Sequence, residues 1–258
     1  MDDRIQIRRN KMIGTDKQHG SVLVLGAGAQ NGLGSALARR FASAGYDLVV
    51  TGRSADKVGK IAADIEAAGG IAQAETVDVT NVDDLDRIFS ILANKGPIAA
   101  VLYNAGNNGI IPFAELTAEQ FQAFWHVGCL GGFHVAKRAL PLLEAQGSGS
   151  LFFTGASASL RGRPNFAQFS VAKAGLRMLA QSLAREYGPK GIHVAHFIID
   201  GVIDGEIVRQ KFGDYIDRLG EDGTLKPEAI ADTFFAVHQQ GRSAWTHELD
   251  LRPFKEAW

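Results

Sequence analysis

Within the chain, Gly26-Ala27-Gly28-Ala29-Gln30-Asn31-Gly32-Leu33-Gly34 is the stretch best suited to hold a ligand. It follows the apolar run Val22 to Leu25 directly and leads into a helical pattern, Gly34 to Ala44, that Gly45 closes. Glycines between a buried strand and a helix let the backbone approach a pyrophosphate. The helix N-terminus adds N–H groups and partial positive charge. Groups able to move a proton lie further on, at Ser157, Asp200, Asp204, His126, His196 and Tyr103. A serine hydroxyl can steady a carbonyl oxygen, and a carboxyl in an apolar cleft can act as an acid, which puts Ser157 and then Asp200 first. The histidines read as core or helix-face residues and Tyr103 as packing. His193 and His196 face opposite sides of a strand, so no metal site is expected. Phe113, Trp125, Phe166 and Phe169 read as core or as the wall of a pocket for an apolar or ring-shaped small molecule.

These groups need a frame, and the chain supplies one by alternation. Strand-like runs occur at Val22 to Leu25, Asp47 to Val50, Ile71 to Val77, Ile98 to Tyr103, Ser150 to Thr154, Ile192 to Ile199 and Trp245 to Leu251. Helical patterns lie between them at Lys57 to Ala68, Asn81 to Asn94, Pro164 to Tyr187 and from Lys226-Pro227-Glu228 onward. A longer one, from Thr117 to Gln146, opens with capping-box spacing. Apolar strands that do not alternate, separated by helices, form a parallel sheet covered on both faces. The expected fold is α/β, a doubly wound seven-stranded Rossmann-like sheet in one domain over residues 21–258. Residues 1–20 mix basic and acidic side chains without the apolar core of a secretory signal, and read as a polar tail.

Composition narrows the function. The 258 residues carry a net charge of −1, which gives no general attraction to nucleic acid or to an anionic membrane. No apolar run approaches the roughly 20 residues of a membrane span. The one cysteine, Cys129, excludes an internal disulfide and suits a reducing cytoplasm. The 30 glycines are far more than the usual share of about 7%.

The spacing Gly28-x-x-x-Gly32-x-Gly34 resembles that of short-chain dehydrogenases/reductases. Asp78-Val79-Thr80, Asn104-Ala105-Gly106, Lys173 and Asp200-Gly201 fall in order at places similar to that family's landmarks. The resemblance covers about residues 21 to 251. It implies a nicotinamide dinucleotide bound by Gly28, Gln30, Asn31, Gly32, Leu33, Gly34, Asp78, Val79, Asn104, Ala105, Gly106 and Lys173. Where NAD sites place an acidic residue after the second strand, this chain has Thr51-Gly52-Arg53-Ser54. Arg53 and Ser54 suit a 2′-phosphate, which favours NADP over NAD. The resemblance also implies assembly as a dimer or tetramer through the helices near Thr117 to Gln146 and Pro164 to Tyr187 and the last strand.

The catalytic positions depart from that pattern. The family pairs a tyrosine with a lysine four residues on, one helical turn apart; here the pair is Phe169 and Lys173. The family serine falls at Ala156, beside Ser157, and the family asparagine at Gly128. Phe169 has no proton to give. Gly128, Gly131 and Gly132 lie inside a helical pattern, where each costs about 1 kcal/mol relative to alanine. Two readings follow. One is an NAD(P)-dependent oxidoreductase acting on an apolar carbonyl, alcohol or activated alkene with Lys173, Ser157, Phe169 and Asp200 at its centre and a non-standard proton donor. The other is an inactive dinucleotide-binding subunit or sensor partnering an active homologue. Residues 205–223 read as a mobile lid over the substrate.

Overall fold

A computed structural model describes residues 19–255, so all but the end of the expected N-terminal tail lies outside the described residues. Seven strands form one parallel sheet in the order β3-β2-β1-β4-β5-β6-β7. They are β1 (Ser21–Leu25), β2 (Asp47–Gly52), β3 (Ile71–Thr76), β4 (Ile98–Tyr103), β5 (Ser150–Thr154), β6 (His193–Ile199) and β7 (Glu248–Leu251). The helices are α1 (Leu33–Ala42), α2 (Ala55–Ala67), α3 (Val82–Ala93), α4 (Ala118–Trp125), α5 (Gly131–Gln146), α6 (Ala167–Tyr187), α7 (Glu206–Leu219) and α8 (Pro227–His238).

Apolar strands without alternation bury both faces. In β1, Val22 and Val24 join one core with Phe41, Phe152, Phe197 and Phe234. Leu23 and Leu25 point the other way, into a core with Tyr103, Phe153, Leu143 and Leu176. The chain reverses its direction of travel across the sheet between β1 and β4, and that crevice is where such sheets bind ligands. No described helix is long and apolar enough to cross a membrane.

Three differences from the sequence reading have physical causes. The last strand begins three residues later than expected: the Trp245 ring stacks on His193, 4.6 Å between centroids, and Gln240 holds Thr246, accepting from its N–H over 2.7 Å and donating to its hydroxyl over 2.8 Å. The long helix from Thr117 is interrupted by a π turn over His126–Leu130, where Tyr103 on β4 donates its hydroxyl to the Val127 carbonyl. A π turn frees a carbonyl from the regular ladder, and here a neighbouring strand takes it. Residues 206–219, expected as a lid of unspecified shape, form α7, with Phe212 at φ −140° and ψ 35° marking a kink.

The helix glycines have a tertiary explanation. A Cβ on Gly132 would lie 2.5 Å from Leu176 Cδ1, and one on Gly131 would strike the Tyr103 hydroxyl. Their cost in helix propensity is offset by the close approach of α5 to the sheet and to α6.

Candidate active site

Three continuous cavities run along the carboxyl ends of the strands. The first, about 310 Å³, is lined by Gly26, Gly28, Gly32, Leu33 and Gly34 from the glycine turn. Arg53, Asp78, Val79, Asn104, Ala105 and Gly106 complete it from the ends of the neighbouring strands. Close approach shapes the turn. Gly26 has φ +99°, and a Cβ there would lie 2.6 Å from the Ala105 nitrogen. Asn104 Nδ2 donates to the Gly26 carbonyl over 3.0 Å, which ties the turn to the end of β4. Gly28 faces open space, so the backbone is bare where a ligand would lie. Burial disfavours ionised Asp78, but hydrogen bonds from Thr80 and the charge of Arg53 outweigh it and hold the carboxyl below its ordinary range.

Four of the expected cofactor residues stand outside this cavity: Lys173, which lines the next one, and Gln30, Asn31 and Ser54. The Gln30 N–H donates to the Glu206 carboxylate of α7 over 3.1 Å, and its side-chain amide donates to Asp64. The Asn31 carbonyl accepts from the Glu206 nitrogen over 3.0 Å. Ser54 is exposed in front of α2. The α7 N-terminus therefore docks directly on the glycine turn.

The second cavity, about 670 Å³, shares Leu33, Asn104 and Gly106 with the first and brings in Thr154, Ser157, Phe169 and Lys173. Lys173 is buried, and its Nζ donates to the Thr154 carbonyl over 2.8 Å. Desolvation pushes its ammonium down to about 8. The Phe169 ring centroid is 6.0 Å from that Nζ, one helical turn back on α6. Thr154 Oγ1 is buried without a hydrogen-bond partner. Ser157 is half-buried, and its hydroxyl makes no hydrogen bond among the described residues. Ile110 closes one side, and Val208, Phe212 and Tyr215 of α7 close the other.

A third recess of about 220 Å³ continues past Phe166 and Phe169 to Arg161, Arg163, Ser170 and Asp200. Asp200 is 1% exposed, and its oxygens accept from Arg161 Nη2 over 2.8 and 3.1 Å. Arg252 Nη2 stands 3.2 Å from the same carboxylate.

Other polar candidates are committed elsewhere. Burial raises the Tyr103 phenol well above its ordinary range, and its hydroxyl is spent on Val127. His196 bonds Glu248 over 3.1 Å, and burial pushes it down to about 4. Asp204 pairs with Arg209. His126, Phe113 and Trp125 line none of these cavities. The described residues contain no cluster suited to a metal ion. The sequence reading overlooked α7 and the two arginines. Val208, Phe212 and Tyr215 recur at helical spacing, a thin signal of α7 broken by the kink at Phe212.

The sequence profile of short chain dehydrogenases matches residues 21–215. The chain belongs to that family. It is 36% identical to a short-chain dehydrogenase from Rhodopseudomonas palustris whose crystal structure superposes with a TM-score of 0.78, over 92% of this chain and 99% of that one. It is 31% identical to the oxidoreductase asL5 of Sarocladium schorii over 76% of this chain and 77% of that protein. A metagenomic short-chain oxidoreductase crystallised with NADP shares the fold, with 22% identity and a TM-score of 0.78 over 93% of this chain and 99% of that one.

In this chain, the place matching the family asparagine is closed. A Cβ on Gly128 would lie 2.7 Å from the Ala172 Cβ, because the π turn presses against α6. Gly128→Asn is therefore an overpacking change costing about 1–3 kcal/mol. Thermal unfolding should show the midpoint lowered by about 3–10 °C. Adding Ala172→Gly should recover part of that loss, since the two sites share one contact.

Proposed function

We propose that this protein is an NADP-preferring oxidoreductase for apolar carbonyl or alcohol substrates, or activated alkenes, in which Lys173 takes the place of the missing phenol as proton source. The observation that carries the reading is the buried Lys173 ammonium on the wall of the cavity, next to a phenylalanine where the family has its acid. When bound, the dinucleotide supplies or accepts the hydride. Gly28, Gly32, Leu33 and Gly34 would hold its pyrophosphate with bare backbone, and Arg53 would pair with the 2′-phosphate. Lys173, on the wall of the second cavity, would hold the ribose hydroxyls of the bound dinucleotide. Its ammonium, pushed down to about 8, is acidic enough to protonate an alkoxide at neutral pH and becomes a neutral amine. The amine takes the proton back when the reaction runs as an oxidation. Ser157 donates its hydroxyl to the substrate oxygen. Asp200, expected as a second candidate acid, has its oxygens taken by arginines and is assigned to positioning instead.

The fit to a nicotinamide dinucleotide rests on the open space over Gly28, the Asn104 brace behind the turn and the cationic Arg53 at the far end of the same cavity. One charge-assisted contact to the 2′-phosphate is worth about 1.5–3 kcal/mol. Arg53→Ala should weaken NADP binding by about 10- to 100-fold in calorimetric titration and leave NAD binding nearly unchanged. Equal losses for both dinucleotides would remove the case for NADP.

The protein is read as a cytoplasmic homo-oligomer. Phe133 on α5 and Val171 and Met178 on α6 are exposed apolar side chains on the helices through which assembly was expected. NADPH oxidation with a panel of ketones, aldehydes and enones tests the activity. Tight dinucleotide binding without turnover on any of them would leave the alternative, a binding subunit that partners an active homologue.

A further inference from the structure

The recess beyond Phe169 is chemically unlike the cavity that feeds it. The large cavity is walled by Ile110, Phe166, Val202, Ile203, Val208 and Phe212. The recess ends in two arginines and one aspartate. Arg161 is fixed by Asp200 through Nη2 alone, so Nε and Nη1 remain uncommitted among the described residues. Asp200 is itself also paired with Arg252. Arg163 pairs with no acidic side chain among the described residues, although it lines the same recess. Ser170 Oγ is buried there without a hydrogen-bond partner. The lining thus holds one cationic charge more than it neutralises, plus unspent donors, at the end of an apolar channel.

We infer that this recess is a carboxylate subsite, and that the substrate is an apolar molecule with its reacting carbon at Lys173 and Ser157 and a terminal carboxylate at Arg161 and Arg163. A guanidinium presents paired N–H donors that match the planar carboxylate, and Asp200 holds one of the two guanidiniums in place before the ligand arrives. A monoanion balances the excess charge. A phosphomonoester, at about −1.5 to −2, would exceed it. The apolar walls exclude a small dicarboxylate lacking a hydrocarbon body, because it would leave most of the channel unfilled.

The inference rests on the oxidoreductase reading for where the reacting carbon lies, but the subsite can be tested by binding alone. The NADP-saturated protein is titrated calorimetrically with phenylalkyl and alkyl monocarboxylates and with the primary amides of the same lengths. The acids should bind about tenfold or more tighter than their amides. The advantage should fall to about threefold or less in Arg163→Ala and reverse in Arg163→Glu. Acid and amide are measured on the same protein, so a folding defect would move both and leave their ratio alone. Equal affinity in the wild type, binding of neither up to millimolar concentration, or a ratio unmoved by Arg163→Ala overturns the subsite. A preserved acid preference without any redox turnover would instead sink the oxidoreductase reading and leave the carboxylate site standing.

Discussion

Phe169→Tyr is expected to raise kcat for NADPH-dependent ketone reduction by about 10²-fold. A positioned general acid contributes about 10²–10⁴ in rate, and Phe169 stands where one can be restored. Its ring lines both the large cavity and the recess, one turn before Lys173 on α6, with 6.0 Å between the ring centroid and Nζ. A phenol there would lie beside a buried ammonium that favours its ionised form. The gain is placed at the low end of the range for two reasons. Ala156 leaves the neighbouring hydroxyl to Ser157, one residue away from the usual place. Gly128 carries no amide and has no room for one. Steady-state kinetics on a reactive ketone measures the change. An unaltered rate would mean that the substrate carbonyl does not face this side of α6.

Lys173→Met is expected to cut turnover by about 10³-fold or more while leaving the fold intact. The variant removes the proton source and the ribose contact together, so both kcat and the affinity for NADP should fall. Its effect on stability should have the opposite sign from that of most core changes. Lys173 is buried with one hydrogen bond, to the Thr154 carbonyl, and its charge is held there against desolvation. Methionine fills similar space without that penalty, so thermal unfolding should move little or upward. A large drop in activity together with a lower unfolding midpoint would assign Lys173 a structural role instead.

The sequence disclosed the frame of the site better than its far wall. Runs such as Val22 to Leu25 and Ile98 to Tyr103 are apolar on both faces because both faces are covered, and such runs are readable without a partner in view. The glycine turn was readable because strand, turn and helix are contiguous. Gly128, Gly131 and Gly132 were visible as an anomaly in a helix, but Ala172, Tyr103 and Leu176, which make them necessary, come from other elements. Helix α7 was hidden for a different reason. Only Ile216 on it is buried, and its other apolar side chains wall a cavity instead of filling a core, so the periodic signal is thin. The pairing of Asp200 with Arg161 and Arg252 spans the chain and left no local trace, which is why Asp200 read as a free acid.

The pH dependence of kcat/KM for carbonyl reduction at saturating NADPH tests most directly whether Lys173 supplies the proton. If it does, the rate is level at neutral pH and falls about tenfold per pH unit above about 8, whereas alcohol oxidation rises up to about 8 and is level above it. In Lys173→Met that break is lost from whatever residual activity survives. A wild-type profile that stays flat through this range, or a break near 8 that persists in Lys173→Met, would contradict the assignment and place the proton source elsewhere in the cavity.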